Sequence, residues 1–216
     1  MKKSIALWGF LAAMFTVSSA SAGVVFTEGN NPQNNEENIL FSGAGTVAGP
    51  ATTIIGRTNQ TRTLVSFMST DILNTDGMGQ SRISAVDGEF RDLSIFLTNG
   101  GTFGDLIFNL NTPNRQTGNA LITVNLLGGA TQTYTFGLDN NQNFLTILAT
   151  DADRITRVDI NSNTGLTAID INDARQVRIS DPQGPAQIPE PATLGLLVAG
   201  LIGIQGLSRK RRTRGA

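Results

Sequence analysis

The stretch Ala120-Leu121-Ile122-Thr123-Val124-Asn125-Leu126-Leu127-Gly128-Gly129-Ala130-Thr131-Gln132-Thr133-Tyr134-Thr135-Phe136-Gly137-Leu138 decides the fold. Ile122, Val124 and Leu126 share one side of an extended chain, and Tyr134, Phe136 and Leu138 share one side of the next. Gly128-Gly129 between them is a turn signal. Working outward, comparable apolar runs rich in Thr, Val, Ile and Phe recur every eight to twelve residues: 51–57, 62–68, 82–86, 90–98, 103–110, 144–149, 154–160 and 175–179. Asn99-Gly100-Gly101 and Asp139-Asn140-Asn141 punctuate them. No window from residue 23 to residue 188 sustains a helical period. The expected fold is therefore all-β: an antiparallel two-sheet sandwich of jelly-roll type, since a parallel α/β sheet would need crossover helices. The polar stretch from Glu28 to Asn38 reads as a mobile arm or first loop.

Of the 216 residues only 15% are charged, and there is neither histidine nor cysteine. The lysines are Lys2, Lys3 and Lys210, so residues 23–188 contain none. That composition removes Ser-His-Asp and Cys-His catalysis, His or Cys zinc sites, disulfides and Schiff-base lysines from the body of the chain. Nine arginines face sixteen carboxylates in residues 23–188, a formal charge of −7 that repels nucleic acid.

The two ends read as addresses. Met1-Lys2-Lys3-Ser4 precedes an apolar run from Ile5 to Val17 and the small residues Ser18 to Ala22. A short apolar run behind positive charge, closed by Ala20-Ser21-Ala22, is a signal peptide. Signal peptidase is expected to cut between Ala22 and Gly23. At the other end Pro189-Glu190-Pro191 is followed by the uncharged run Ala192–Leu207 and then by Arg209, Lys210, Arg211 and Arg212. Sixteen helical residues reach about 24 Å against a hydrocarbon core of about 30 Å, a marginal transmembrane helix. The basic residues hold the extreme C-terminus on the cytoplasmic side. The prolines keep Glu190 extended outside the membrane.

This tripartite ending, over residues 187–212, resembles the PEP-CTERM sorting signal, with Ile188 where valine is more common. The resemblance implies export in a Gram-negative bacterium, transient anchoring by the C-terminal helix, and recognition by an exosortase, often alongside exopolysaccharide. Gly56-Arg57-Thr58-Asn59-Gln60-Thr61 and Asp173-Ala174-Arg175-Gln176-Val177-Arg178-Ile179 resemble pieces of the β-sandwich passengers found ahead of such signals. The organisation that follows is a signal peptide (1–22), a passenger domain (23–182), a linker (183–188) and the sorting signal (189–212).

Two groups of polar residues in the passenger could carry chemistry. From Asp159 to Asp170, oxygen side chains stand at positions one, three, five, nine and twelve, including Asn161 and Asn163. Calcium loops use that spacing. A polar hairpin loop is the plainer reading, because glycine comes one place late and the flanks are strands. No cofactor is expected, with calcium at Asp159, Asn161, Asn163 and Asp170 as the alternative. Asp71, Asp76, Asp87, Glu89, Asp92 and Asp105 make an acidic region in which a glycosidase pair could hide, yet the mature body has no tryptophan and a single tyrosine for stacking sugars. Arg57, Arg62, Arg82, Arg91 and Arg115 are scattered and could meet an acidic polysaccharide. The expected protein is not an enzyme but an exported matrix or cell-surface protein of the extracellular polymer or biofilm layer. A carbohydrate-binding or adhesive module, with or without calcium, is the alternative.

Overall fold

The structure is a computed structural model, and it describes residues 23–76, 82–140, 142–150, 152–162 and 169–185. The expected N-terminal signal helix and C-terminal membrane helix lie outside these residues, as do Ala20, Ala22, Asn163, Pro189 to Pro191 and the basic tail. Among the described residues no helix is long and apolar enough to cross a membrane.

Twelve strands make up the described body: β1 (Val24–Glu28), β2 (Glu36–Leu40), β3 (Ala51–Thr58), β4 (Leu64–Thr75), β5 (Arg82–Ala85), β6 (Asp92–Leu97), β7 (Asp105–Asn111), β8 (Gly118–Leu126), β9 (Thr131–Leu138), β10 (Asn143–Ala149), β11 (Ile155–Asn161) and β12 (Asp173–Ser180). The stretch that opened the sequence reading forms the β8–β9 hairpin, with Val124 opposite Gln132 and Ile122 opposite Tyr134. Gly128 and Gly129 have φ of 98° and 90° in its turn, a backbone that side chains with a Cβ rarely adopt.

All strand pairs are antiparallel, in the order β1-β10-β7-β12-β2-β3-β4-β6-β11-β8-β9, with β5 joining β12 to β4. The ladder doubles back at β2 and β5, so that β1-β10-β7-β12 faces β3-β4-β6-β11-β8-β9. The inward residues of both halves form one apolar cluster, in which Phe67, Phe90, Phe103 and Phe108 are fully buried. At the open edge Phe26 of β1 stacks on Tyr134 of β9, ring centroids 5.0 Å apart. At one end the halves are tied by the reciprocal backbone bonds of Phe103 and Ile155, at 2.9 and 3.0 Å. This is the antiparallel sandwich the alternation predicts.

The sequence reading places no strand before residue 51, and its arm, Glu28 to Asn38, runs from the end of β1 into β2. The segment between them is pinned: Gly29 N–H donates to the Phe144 carbonyl at 2.8 Å, Asn31 N–H to Thr146 Oγ1 at 3.1 Å, and Gln33 N–H to Glu36 Oε1 at 2.7 Å. Arg178 binds both Asn30 Oδ1 and Glu36, the latter at 3.0 Å. Thr146 sits opposite Ile107 of β7, so the segment crosses the outward side of that strand. Both sides of β7 are consequently buried, Leu106, Phe108 and Leu110 inside and Asp105, Ile107 and Asn109 beneath the crossing.

Both ends of the described chain leave at one end of the sandwich. Gly23 is bonded to Thr150 and Asp153, and Gln183 pairs with Thr102.

Candidate functional site

At the other end of the sandwich, where β11 finishes at Asn161, a cleft of about 750 Å³ is lined by Thr70, Asp71, Asp87, Glu89, Phe90, Arg91, Asp92, Asn161 and Asp170. Backbone pairing builds it. Phe90 and Ile171 exchange N–H···O bonds of 2.9 Å, anchoring the strand-entry segment 89–91 against the chain returning toward β12. Ser162 N–H donates to the Arg91 carbonyl at 2.9 Å, and Ile169 N–H donates to the Ser162 carbonyl at 3.1 Å. Those bonds bring Ser162 and Ile169 together beside Arg91 at the cleft rim. Phe90 is buried, so its ring belongs to the core and not to the lining surface.

Five carboxylates and one arginine give the cleft a negative field. Asp92 is already occupied, accepting from Thr70 N–H at 3.0 Å and from the Thr70 hydroxyl. Asp170 pairs with Arg91 Nε at 2.5 Å, and that guanidinium holds its carboxyl below the usual range. Glu89 is pushed up, by partial desolvation first and then by Asp170 and Asp87. Asp87 and Glu89 are exposed, Glu89 sharing a side-chain hydrogen bond with Asp170 and Asp87 open to hydroxyl, amide or cationic donors.

The acidic region seen in the sequence is therefore split. Asp71, Asp87, Glu89 and Asp92 line the cleft, joined by Asp170. Asp76 instead pairs with Arg82 at 3.5 Å, and Asp105 is buried at the opposite end. The four residues considered for calcium are also divided. Asn161 and Asp170 line the cleft, whereas Asp159 accepts from Ser94 Oγ at 2.6 Å, Asn125 Nδ2 at 3.0 Å and Arg157 Nε at 2.6 Å. Among the described residues no three carboxylates converge closely enough to hold a metal ion. Of the arginines, Arg82 and Arg91 are engaged with Asp173 and Asp170, while Arg57 lies against Gly43 and Arg62 against a separate shallow pocket with Leu64 and Asn99.

Sequence reasoning missed the network on the outer side of the second sheet, where Arg157 lies 5.4 Å from the Phe96 ring centroid and donates to Ser94 Oγ at 2.6 Å. The alternation of Ser94 and Phe96, and of Arg157 and Asp159, was the available signal. What it lacked was the β6–β11 register that sets Asp159 opposite Ser94 and Arg157 opposite Phe96.

Comparison with known proteins bears mainly on the C-terminus. The chain carries a PEP-CTERM protein-sorting motif at residues 187–212, which marks an exported protein with a C-terminal sorting signal. No curated protein matches the chain. Solved structures that overlap it loosely include a variant of the module CBM29-2, at 15% identity over 78% of this chain and 99% of that one, with a TM-score of 0.33. Another is a family 29 carbohydrate-binding module from Piromyces equi, at 15% identity over 80% and 96%, with a TM-score of 0.28. Overlaps this loose carry no argument about what this chain binds.

Proposed function

We propose that this chain is an exported, non-catalytic surface or matrix protein whose C-terminal signal is recognised and cut by an exosortase and whose sandwich serves as a binding module. The observation that carries this is the sorting motif at residues 187–212. The body supports a non-catalytic role, because with no histidine, cysteine or lysine in residues 23–188 the remaining acid–base groups are carboxylates and Tyr134, which is bonded to Glu28, and two of the cleft carboxylates are committed to Thr70 and Arg91. The deciding experiment replaces Glu190 with alanine in the producing organism. Export should persist while C-terminal cleavage stops, leaving a product heavier by the uncut tail. Normal processing of the variant would refute the exosortase assignment.

A second reading, a carbohydrate-binding module, is favoured by the cleft itself. An exposed carboxylate such as Asp87 is an acceptor suited to sugar hydroxyls. A glycan array of the exported protein, run with and without calcium, tests it. Saturable binding that is lost on Asp87→Ala would place the ligand in the cleft, and a blank array would leave the surface-protein reading alone.

A further inference from the structure

Gly23, the first described residue, is held at both of its backbone polar groups. Its nitrogen donates to Asp153 Oδ2, a residue 130 positions away, and its carbonyl accepts from Thr150 N–H at 3.0 Å. The next residue, Val24, enters the β1–β10 ladder opposite Ala149, and its N–H donates to Gln132 Oε1 of β9 at 3.1 Å. The expected signal-peptidase cut falls on the far side of that same Gly23 nitrogen. Before the cut it is an amide with one proton and no charge. Afterwards it is a primary ammonium with three donors and a full positive charge.

The surroundings suit a cation. Asp105 of β7 is wholly buried, and neither of its carboxylate oxygens has a hydrogen bond of normal geometry. It shares a pocket of about 300 Å³ with Asp153, Asp181 and Arg154. Arg154, the cation lining that pocket, is spent on the Asp181 carbonyl and, at 3.4 Å, on Thr102 Oγ1. β1 needs an anchor: it is a five-residue edge strand with β10 as its ladder partner, and Val25 is exposed on it. A strand of that kind at a chain terminus frays unless tied down.

We propose that removal of the signal peptide creates a structural ion pair between the Gly23 α-ammonium and the Asp153 carboxylate, which locks β1 into the sandwich. The cut is then a maturation step in the fold as well as a release from the membrane. This rests on the export reading above and adds to it a binding site for the chain's own new terminus.

The composition makes the pair directly readable. No lysine stands between Lys3 and Lys210, so the Gly23 amine is the sole primary amine of the mature body. The exported protein is purified, its first residue identified by N-terminal sequencing, and its amine labelled by reductive methylation with ¹³C-formaldehyde and titrated by NMR. Wild type, Asp153→Asn and the cleft control Asp87→Asn are compared. In wild type and in Asp87→Asn the labelled amine should titrate about one unit above its value in the same protein unfolded, and in Asp153→Asn it should match that unfolded value. A raised amine pKa means that the stabilisation is complete below the unfolded value and is lost as pH rises through the folded one. Wild type should therefore melt above Asp153→Asn at pH 7, and the two should converge near pH 10. Acetylating the amine of the wild-type protein should lower its melting temperature in the same way, a check that requires no substitution. A first residue other than Gly23 would overturn the cut site and the proposal together. Gly23 as first residue, with an amine that titrates identically in wild type and Asp153→Asn, would overturn the ion pair alone.

Discussion

Asp173 and Asp105 stand at opposite ends of the β7–β12 ladder, Asp173 opposite Asn111 and Asp105 opposite Ser180, and both are fully buried. Their surroundings differ completely. Asp173 accepts from Arg82 Nε at 2.8 Å, Arg175 Nε at 2.6 Å, Asn111 Nδ2 at 2.7 Å and Asn172 Nδ2 at 3.1 Å. In return it raises the affinity of the Arg175 guanidinium for its proton. Asp105 has Glu36 and Asp181 near it, and only Ser180 opposes the effect of burial, which pushes its carboxyl up to about 6. Depth is thus the same while cost is opposite: a buried carboxylate is stabilising or destabilising according to the donors brought to it.

The largest test of that contrast is Asp173→Ala. It removes the acceptor for two arginines and two amides at once, and the expected loss is about 3 kcal/mol in denaturant unfolding. The figure is set at the low end for a buried hub because the side chains of Arg82 and Arg175 remain 38% and 43% exposed and can recover water. A loss below 1 kcal/mol would break the comparison from this side.

Asp105→Asn should have the opposite sign, raising stability at pH 7 by about 2 kcal/mol. The sign follows from the raised carboxyl. The folded state binds the proton more tightly than the unfolded chain, so stability falls as pH rises from about 4 through about 6 and levels off above that. Wild type should gain stability between pH 7 and pH 5 and Asp105→Asn should gain less, both read as melting temperatures. A destabilised amide variant would mean that Asp105 has donors the contrast denies it.

Smaller still, Asp170→Asn breaks an exposed pair with Arg91 and should lower the melting temperature only slightly, an effect that fades in high salt. The smallest expected effect is that of calcium. Millimolar calcium followed by chelator should leave the melting temperature unchanged, since Asp159 is saturated by Ser94, Asn125 and Arg157. A reversible rise abolished by Asp159→Ala would instead assign an ion to the segment from Asp159 to Asp170.

The β architecture was legible because inward residues alternate so regularly in runs such as 120–126 and 131–138. β2 was hidden by Glu36 and Glu37, which look wrong for a strand until their partners are known. Arg178, opposite Asn38, reaches diagonally to pair with Glu36, and the N–H groups of Gln60 and Thr61 donate to Glu37 Oε2 at 2.8 and 2.7 Å. The cleft was half legible. Asp71, Asp87, Glu89 and Asp92 are near one another in the chain, but Asp170 arrives through the Phe90–Ile171 pairing, which no local pattern encodes. Asp173 was read only as part of a strand, because Arg82, 91 positions earlier, is brought to it by β5 pairing with β12.

The placement of the termini has a consequence for orientation. Gly23 and Gln183 leave beside Asp153 and Thr102, whereas the acidic cleft opens beyond Asn161, at the far ends of β11 and β12. The eight residues of β12 alone separate the two by about 23 Å. On the export route proposed above, with residues 192–207 in the bilayer, the tethered end would face the lipid and the cleft the medium. Both proposed cuts, before Gly23 and beside Pro189 to Pro191, would then fall on the membrane side. Anything held in the cleft would stay held as the protein is freed, so capture of a ligand from outside need not wait for release.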